Sequence, residues 1–265
     1  MELSFGKTDK TWSKYKLLQA PLHFDGKPTR YKTIVKNGKL VAVVGRDYKV
    51  LPNEEAVKIA DAVAGELGAR PFKLRYKRSN CIYNRVKTRV YAQYLMPGSY
   101  DVAGRDRVRI GFSMANGIDG GLAFSALGFT FRKVCENGVF VGYKELARFY
   151  RKHTKGLEVD LAMIRKVVEG VVAETKRAIG VYRKLVTLEL NEEIAEKIAK
   201  SRIPRKLLPD YIEIQKGKLV GFDSTKTLWD VYNSVTAAIW HNVKADIETK
   251  RNAFNQLHAI IPAVA

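Results

Sequence analysis

Four histidines, two cysteines and scattered carboxylates are the side chains with which this 265-residue chain could do chemistry, and their spacing assembles none of it. His23, His153, His241 and His258 lie far apart. Neither Cys81 nor Cys135 sits in a CxxC pair or has a histidine at metal-ligand spacing, so no zinc site is expected. Gly26-Lys27-Pro28-Thr29 is not a phosphate-binding loop, because Pro21 stands where the first glycine belongs and a proline separates lysine from threonine. Gly117-Ile-Asp-Gly-Gly121 reads as a tight turn, since a strand and not a helix follows it. Asp210 and Glu213 before Gln215-Lys216 faintly echo metal-dependent nucleases, yet the acids stand only three apart and glutamine fills the expected lysine position. No catalytic residue, metal or cofactor is expected, and the chain reads as a binding protein.

What the spacing does assemble is cationic. Lysine and arginine number 47 against 27 acids, a net charge of +20 with pI near 9.9. Nucleic acid is the default partner for such a charge, because neutralising phosphates releases condensed counterions without any reading of sequence. Strand side chains alternate with period two. Over 71–78 that period sets Lys73, Arg75 and Lys77 against Phe72, Leu74 and Tyr76. Over 84–96 it sets Arg85, Lys87, Arg89, Tyr91 and Gln93 against Val86, Val90, Ala92 and Tyr94. Over 105–115 it sets Arg105, Arg107 and Arg109 against Val108, Ile110, Phe112 and Met114. Pairing these strands builds one basic wall backed by an apolar face. From Arg70 to Arg109 there are eleven cations and two acids, Asp101 and Asp106. An ordinary solvated face would mix charges, since like charges opposed across strands repel. Tyr91 is the one ring that the period places on the basic face, where it would stack an unpaired base; a single-stranded nucleic acid is therefore the expected partner.

Those strands need elements to carry them. Residues 1–30 read as an irregular lead-in. Asn37-Gly38 between Tyr31–Lys36 and Lys39–Val44 predicts a hairpin, since both turn positions need positive φ. Asn53 is expected to cap a helix carrying Ala56, Ile59, Ala60, Val63, Ala64 and Leu67 on one stripe, with Gly68 ending it. A fourth strand is expected around 122–134. Beyond Gly156 the pattern turns helical. Asp160 caps a stripe of Leu161, Ile164, Val168, Val171, Val172, Thr175, Ile179 and Tyr182, and Asn191 caps a shorter helix. Pro204 and Pro209 interrupt, a strand covers 211–215, and one last helix runs from about Ser224 to His258. The expected fold is α+β: an antiparallel sheet with one basic face and packed helices over residues 1–155, then a mainly helical region over 156–265. No apolar run is long enough to span a bilayer, and two cysteines without a signal segment predict a cytosolic protein.

Four segments carry a resemblance: Val43-Val-Gly-Arg-Asp-Tyr-Lys-Val-Leu-Pro-Asn-Glu-Glu-Ala56, Phe131-Arg-Lys-Val-Cys-Glu-Asn-Gly138, Lys152-His-Thr154 and Leu228-Trp-Asp-Val-Tyr-Asn-Ser-Val-Thr236. In that order they resemble phage- and plasmid-like proteins of mobile elements bearing a domain of unknown function. Lys152 departs from the pattern, which has arginine before His-Thr. The resemblance implies a part in DNA recombination, replication or repair, and makes Arg132, Asn137, Lys152 and His153 candidates for contacting phosphates. Asn137-Gly138 reads equally as a turn, and His153 as a structural hydrogen bond. By analogy of fold the chain is similar to phage single-strand annealing recombinases, which work as homo-oligomers without ATP. A metal-dependent nuclease and a structural DNA-packaging protein are the alternatives.

Overall fold

The computed structural model describes residues 3–5, 9–12, 15–78, 86–104, 106–132, 137–141, 148–154, 157, 160–209, 213–215, 218–220, 227–242, 244–245 and 247–261. Antiparallel sheets and helices make up the chain, with a helical C-terminal part, as the α+β reading expects. By contacts it divides into two compact units. The first holds Met1–Leu95, Ser113–Ala126 and Phe149–Val168; the second holds Met96–Phe112, Leu127–Arg148 and Glu169–Ala265.

In the first unit, β1 (Leu3–Phe5), β2 (Asp9–Trp12), β3 (Leu17–Phe24), β4 (Lys27–Lys36) and β5 (Lys39–Gly45) form a sheet in the order β1-β3-β4-β5, with β2 also on β3. The lead-in is thus strand. Asp25-Gly26 turns β3 into β4 with φ of 47° and 71°, and Asn37-Gly38 turns β4 into β5 with 53° and 73°. Both pairs adopt the positive φ that two-residue hairpins need. A bulge between Pro21 and His23 breaks the alternation of β3, which hid it from the period argument. Leu17, Ile34, Val41, Val44, Val50 and Ile118 pack as the core of this region.

Helix α1 (Asn53–Glu66) buries Ala56, Ala60, Val63 and Ala64 and closes at Gly68, where Ala69 N–H donates to Ala64 O at 2.8 Å. Asn53 makes no cap. Its fully buried amide donates to Thr88 O at 3.0 Å and accepts from Asn116 Nδ2 at 2.9 Å, so it ties the helix to the strands beneath. Those strands belong to a second sheet: β6 (Arg70–Arg78), β7 (Lys87–Leu95), β8 (Tyr100–Ala103), β9 (Asp106–Gly117), β10 (Phe124–Arg132), β11 (Asn137–Val141) and β12 (Arg148–Arg151). Its order is β11-β10-β9-β7-β6, with β8 on β9 and β12 on β10. Tyr94 on β7 donates to Asp61 Oδ1 at 2.7 Å, which places α1 over the Val90, Ala92 and Tyr94 face.

In the second unit, α2 (Leu161–Leu185) approaches β10 at Gly128, where any Cβ would run into Thr175 Oγ1 and Val171. Asp160 Oδ1 accepts from Ala162 N–H, and Asn191 Oδ1 caps α3 (Glu192–Ala199) through Ile194 N–H at 2.9 Å, both as expected. Leu161 is the exception in the α2 stripe and stands exposed. The expected last helix is two helices, α4 (Leu228–His241) and α5 (Ile247–Ile260). Asn242 breaks it by accepting from the N–H groups of Lys244 and Ala245. Short strands β13 (Glu213–Gln215) and β14 (Lys218–Val220) pair with each other. No helix among the described residues is long and apolar enough to cross a membrane.

Candidate nucleic-acid interface

In the first unit the register of β6 on β7 sets Lys77 opposite Arg89, Arg75 opposite Tyr91 and Lys73 opposite Gln93. Cross-strand partners share a face, so these residues lie on one side of the β6 and β7 pair. Arg75 and Lys87 are exposed, while Lys73 and Lys77 are half-buried. Two expectations need correction. Tyr91 is 6 % exposed and Gln93 7 %, because from residue 90 onward β7 is buried on both faces; Tyr91 offers no open ring for a base. Leu74, assigned to the apolar face, is 53 % exposed because β6 is the sheet's edge. Arg85 lies outside the described residues.

Arg89 has an acid that local sequence could not supply. Its Nε donates to Asp119 Oδ2 at 2.9 Å. The same carboxylate accepts from Thr88 Oγ1 at 3.0 Å and from Gly121 N–H at 3.0 Å. The expected turn at 117–121 thus holds an acid against the basic strand, with Gly120 at φ 76°.

In the second unit one cation is likewise matched by an acid. Arg107 is exposed and faces Asp101 across β8 and β9, while Arg109 is half-buried. Arg132 Nε donates to Asp106 Oδ1 at 2.5 Å, and Trp229 Nε1 donates to the other oxygen at 2.7 Å. Arg132 is therefore committed to a buried carboxylate, a correction to its reading as a phosphate contact. Two of the resembling segments, 131–138 and 228–236, meet through Asp106. Beside them Thr130, Tyr182, Tyr232 and His258 form a hydrogen-bonded chain of 3.1, 3.2 and 2.7 Å links. Burial pushes both phenols up and pulls His258 down to about 4, so His258 ends the chain as a neutral imidazole. Arg105, Cys81, Cys135 and Asp210 lie outside the described residues, as does the side chain of Asn137.

The other two resembling segments, 43–56 and 152–154, meet in the first unit. His153 is 5 % exposed and its ring stacks on Tyr48 at 5.0 Å. Nδ1–H donates to Lys49 O at 2.9 Å, and Lys49 N–H donates back to His153 O at 3.1 Å. Because a carbonyl only accepts, Nδ1 carries the proton in this bond. Burial holds His153 below the usual imidazole range, which keeps it neutral. This favours the structural hydrogen bond over the phosphate contact for His153; Lys152 beside it is exposed. Tyr48 OH donates to Gly117 O at 3.0 Å, and burial raises this phenol too. His153 and Tyr48 line an open cleft of about 650 Å³ with Thr29, Arg30, Arg46 and Asp47. Strand alternation gives no sign of this cleft, although Gly45-Arg46-Asp47-Tyr48 stands in the first resembling segment. Among the described residues no three His, Cys, Asp or Glu side chains gather to hold a metal ion.

The family described as Domain of unknown function (DUF932) matches residues 40–260. The searches of curated proteins and of solved structures give no match.

Proposed function

We propose that this chain, which belongs to the Domain of unknown function (DUF932) family, binds nucleic acid without reading its sequence, with single-stranded DNA as its working partner. The observation that carries this reading is the register that gathers Lys73, Arg75 and Lys77 beside Arg89 on one strand face in a chain of net charge +20. Exposed Arg75 and Lys87 offer point charges to phosphates, whereas Arg89 and Arg132 have acids to answer them. With Tyr91 buried, base stacking falls to exposed rings of the same unit. Tyr31 is 39 % exposed with the Arg30 guanidinium 5.2 Å from its centroid, and Tyr150 is 49 % exposed next to Arg151. Stacking on such rings is indifferent to base identity, which suits a sequence-independent binder. The resemblance to mobile-element proteins supports a cytosolic role in recombination, replication or repair, with annealing by a homo-oligomer as its form.

Titrating a labelled single strand at several salt concentrations tests this. With about five phosphates neutralised, the logarithm of affinity falls against the logarithm of salt with a slope near −0.7 per phosphate, roughly −3.5 in all. An affinity that ignores salt would sink the reading.

A further inference from the structure

Arg30 and Arg46, which line the cleft beside Tyr48, have no carboxylate at ion-pair distance among the described residues, whereas Arg89, Arg132, Arg165 and Arg177 each have one. Asp47 is the one acid among the described lining residues, and exposed Lys49 and Lys152 add cations from the adjoining segments. Arg46 Nη2 donates to Thr29 O at 2.7 Å, which holds the guanidinium at the rim and leaves most of its N–H groups to give. Arg30 lies against Tyr31: Nε donates to the phenol oxygen at 3.1 Å, and the guanidinium carbon stands 5.2 Å from the ring centroid. A small-molecule site buries most of its ligand. Here Pro28, Arg30, Gly45, Arg46, Asp47 and Thr154 are all exposed around a space of about 650 Å³, a lining that suits a polymer passing through. Guanidinium forks match phosphate oxygens in geometry and charge.

The turn at 117–121 joins this cleft to the strand face within the first unit. On one side Asp119 holds Arg89, and a Cβ added at Gly121 would run into Arg89 Nη2. On the other, Gly117 O accepts from Tyr48 OH at 3.0 Å, and a Cβ added at Gly120 would stand 3.1 Å from Val44 Cγ1. The turn thus packs against the cleft wall and the basic strand at once. We propose that one single strand engages both regions, its phosphates on Arg30 and Arg46 in the cleft and on Arg75 and Lys87 of β6 and β7, with a base stacked on Tyr31. This path rests on the reading of the chain as a single-strand binder. A strand held at two linked places gains affinity that neither place has alone, because the second contact is intramolecular.

Anisotropy titrations of the full chain with oligothymidylates of about 5 and about 30 nucleotides decide the matter. The long strand is expected to bind at least about a hundredfold more tightly than the short one. Arg30→Ala combined with Arg46→Ala reduces that gain to under about tenfold, with little change in melting temperature. It also makes the salt slope of the long strand shallower by roughly 1.4, two phosphates at about 0.7 each. Arg75→Ala combined with Lys87→Ala has the same two effects. Tyr31→Ala weakens single strands at least about fivefold and duplex less; an equal loss on both overturns the base contact. Should the double cleft variant unfold, Arg30→Ala alone, whose side chain hydrogen-bonds only to Tyr31, decides by the loss of one phosphate, about 0.7 in slope. If the cleft variant keeps the full gain while the Arg75 and Lys87 variant loses it, this proposal fails and the strand-face reading stands. If only the cleft variant weakens binding, or neither does, the strand-face reading fails along with the shared path. More than one long strand bound per chain, or micromolar binding of adenosine 5′-monophosphate that the cleft variant loses, likewise overturns the proposal.

Discussion

Asp119 shows how one carboxylate changes the meaning of a basic strand. Its side chain is 4 % exposed, and it answers Arg89, Thr88 and the Gly121 amide together. Removing Arg89 would leave that charge buried and half-satisfied, so Arg89→Ala is expected to cost on the order of 2–3 kcal/mol of stability. Arg75→Ala combined with Lys87→Ala, at exposed positions, should shift stability by under about 0.5 kcal/mol per site while weakening DNA binding severalfold. Val90→Ala and Tyr91→Ala, both at buried positions, should destabilise by roughly 1–4 kcal/mol without a specific loss of affinity in the folded fraction. Melting curves and single-strand titrations on these variants separate the roles; if the Arg75 and Lys87 variant unfolds while Val90→Ala folds and loses DNA, the faces are reversed. His258 supplies a second residue-scale test. Its folded value near 4 lies below the ordinary 6.5, so the unfolded chain binds the proton more readily. The stabilisation is therefore complete above about pH 6.5 and lost as pH falls towards 4, by up to about 3 kcal/mol. His258→Gln should flatten that part of the pH-melting curve; an unchanged slope between pH 6.5 and 4 would show that another group governs it.

Elements were legible where a local rule fixed them. Asn37-Gly38 demanded its hairpin, the stripe of α1 buried Ala56, Ala60, Val63 and Ala64, and Asn191 capped α3. The missed elements were set by partners distant in sequence or by broken periods. β3 has a bulge at Pro21, the last helix divides where Asn242 turns its side chain onto the following amides, and Asn53 bonds Thr88 and Asn116 instead of its own helix. For the same reason the shared face of Lys73, Arg75 and Lys77 could be read from alternation, but Asp119 opposite Arg89 could not. A two-fold period says which side chains share a face; it does not say whether another layer covers that face, as happens at Tyr91. Gly128 is a glycine whose need was equally invisible. It lies on β10 where α2 approaches, with Val171 Cγ1 and O at 3.1 and 3.2 Å from any added Cβ and Thr175 Oγ1 closer still. Gly128→Ala should therefore overpack this contact by roughly 1–3 kcal/mol. Adding Thr175→Ala should recover part of the loss, since it removes the nearest atom. Additive losses in denaturant melts would mean that α2 shifts as a whole to accommodate the methyl group.

At the scale of the whole molecule, the charge of +20 sets two effects of opposite sign. Self-repulsion destabilises a compact chain of one sign, and salt screens it, so the melting temperature of the protein alone should rise as salt is added from a low starting concentration. A bound single strand neutralises the same charges but is itself driven off by salt. Ligand that binds only the folded state stabilises it by about 2.7 kcal/mol at a hundredfold excess over Kd, and each kcal/mol moves the melting point of a chain this size by about 2–4 °C. Melting curves with and without a short single-stranded oligonucleotide, across a series of salt concentrations, should therefore converge. At low salt the DNA raises the melting point by several degrees; at high salt the two curves coincide while the protein alone has become more stable. A shift that persists at high salt would point to contacts other than phosphate neutralisation, and no shift at low salt would show that the +20 charge has no nucleic-acid partner. Alanine at Lys73, Arg75 and Lys77 should shrink the low-salt shift, because it removes the charges gathered on the β6 and β7 face.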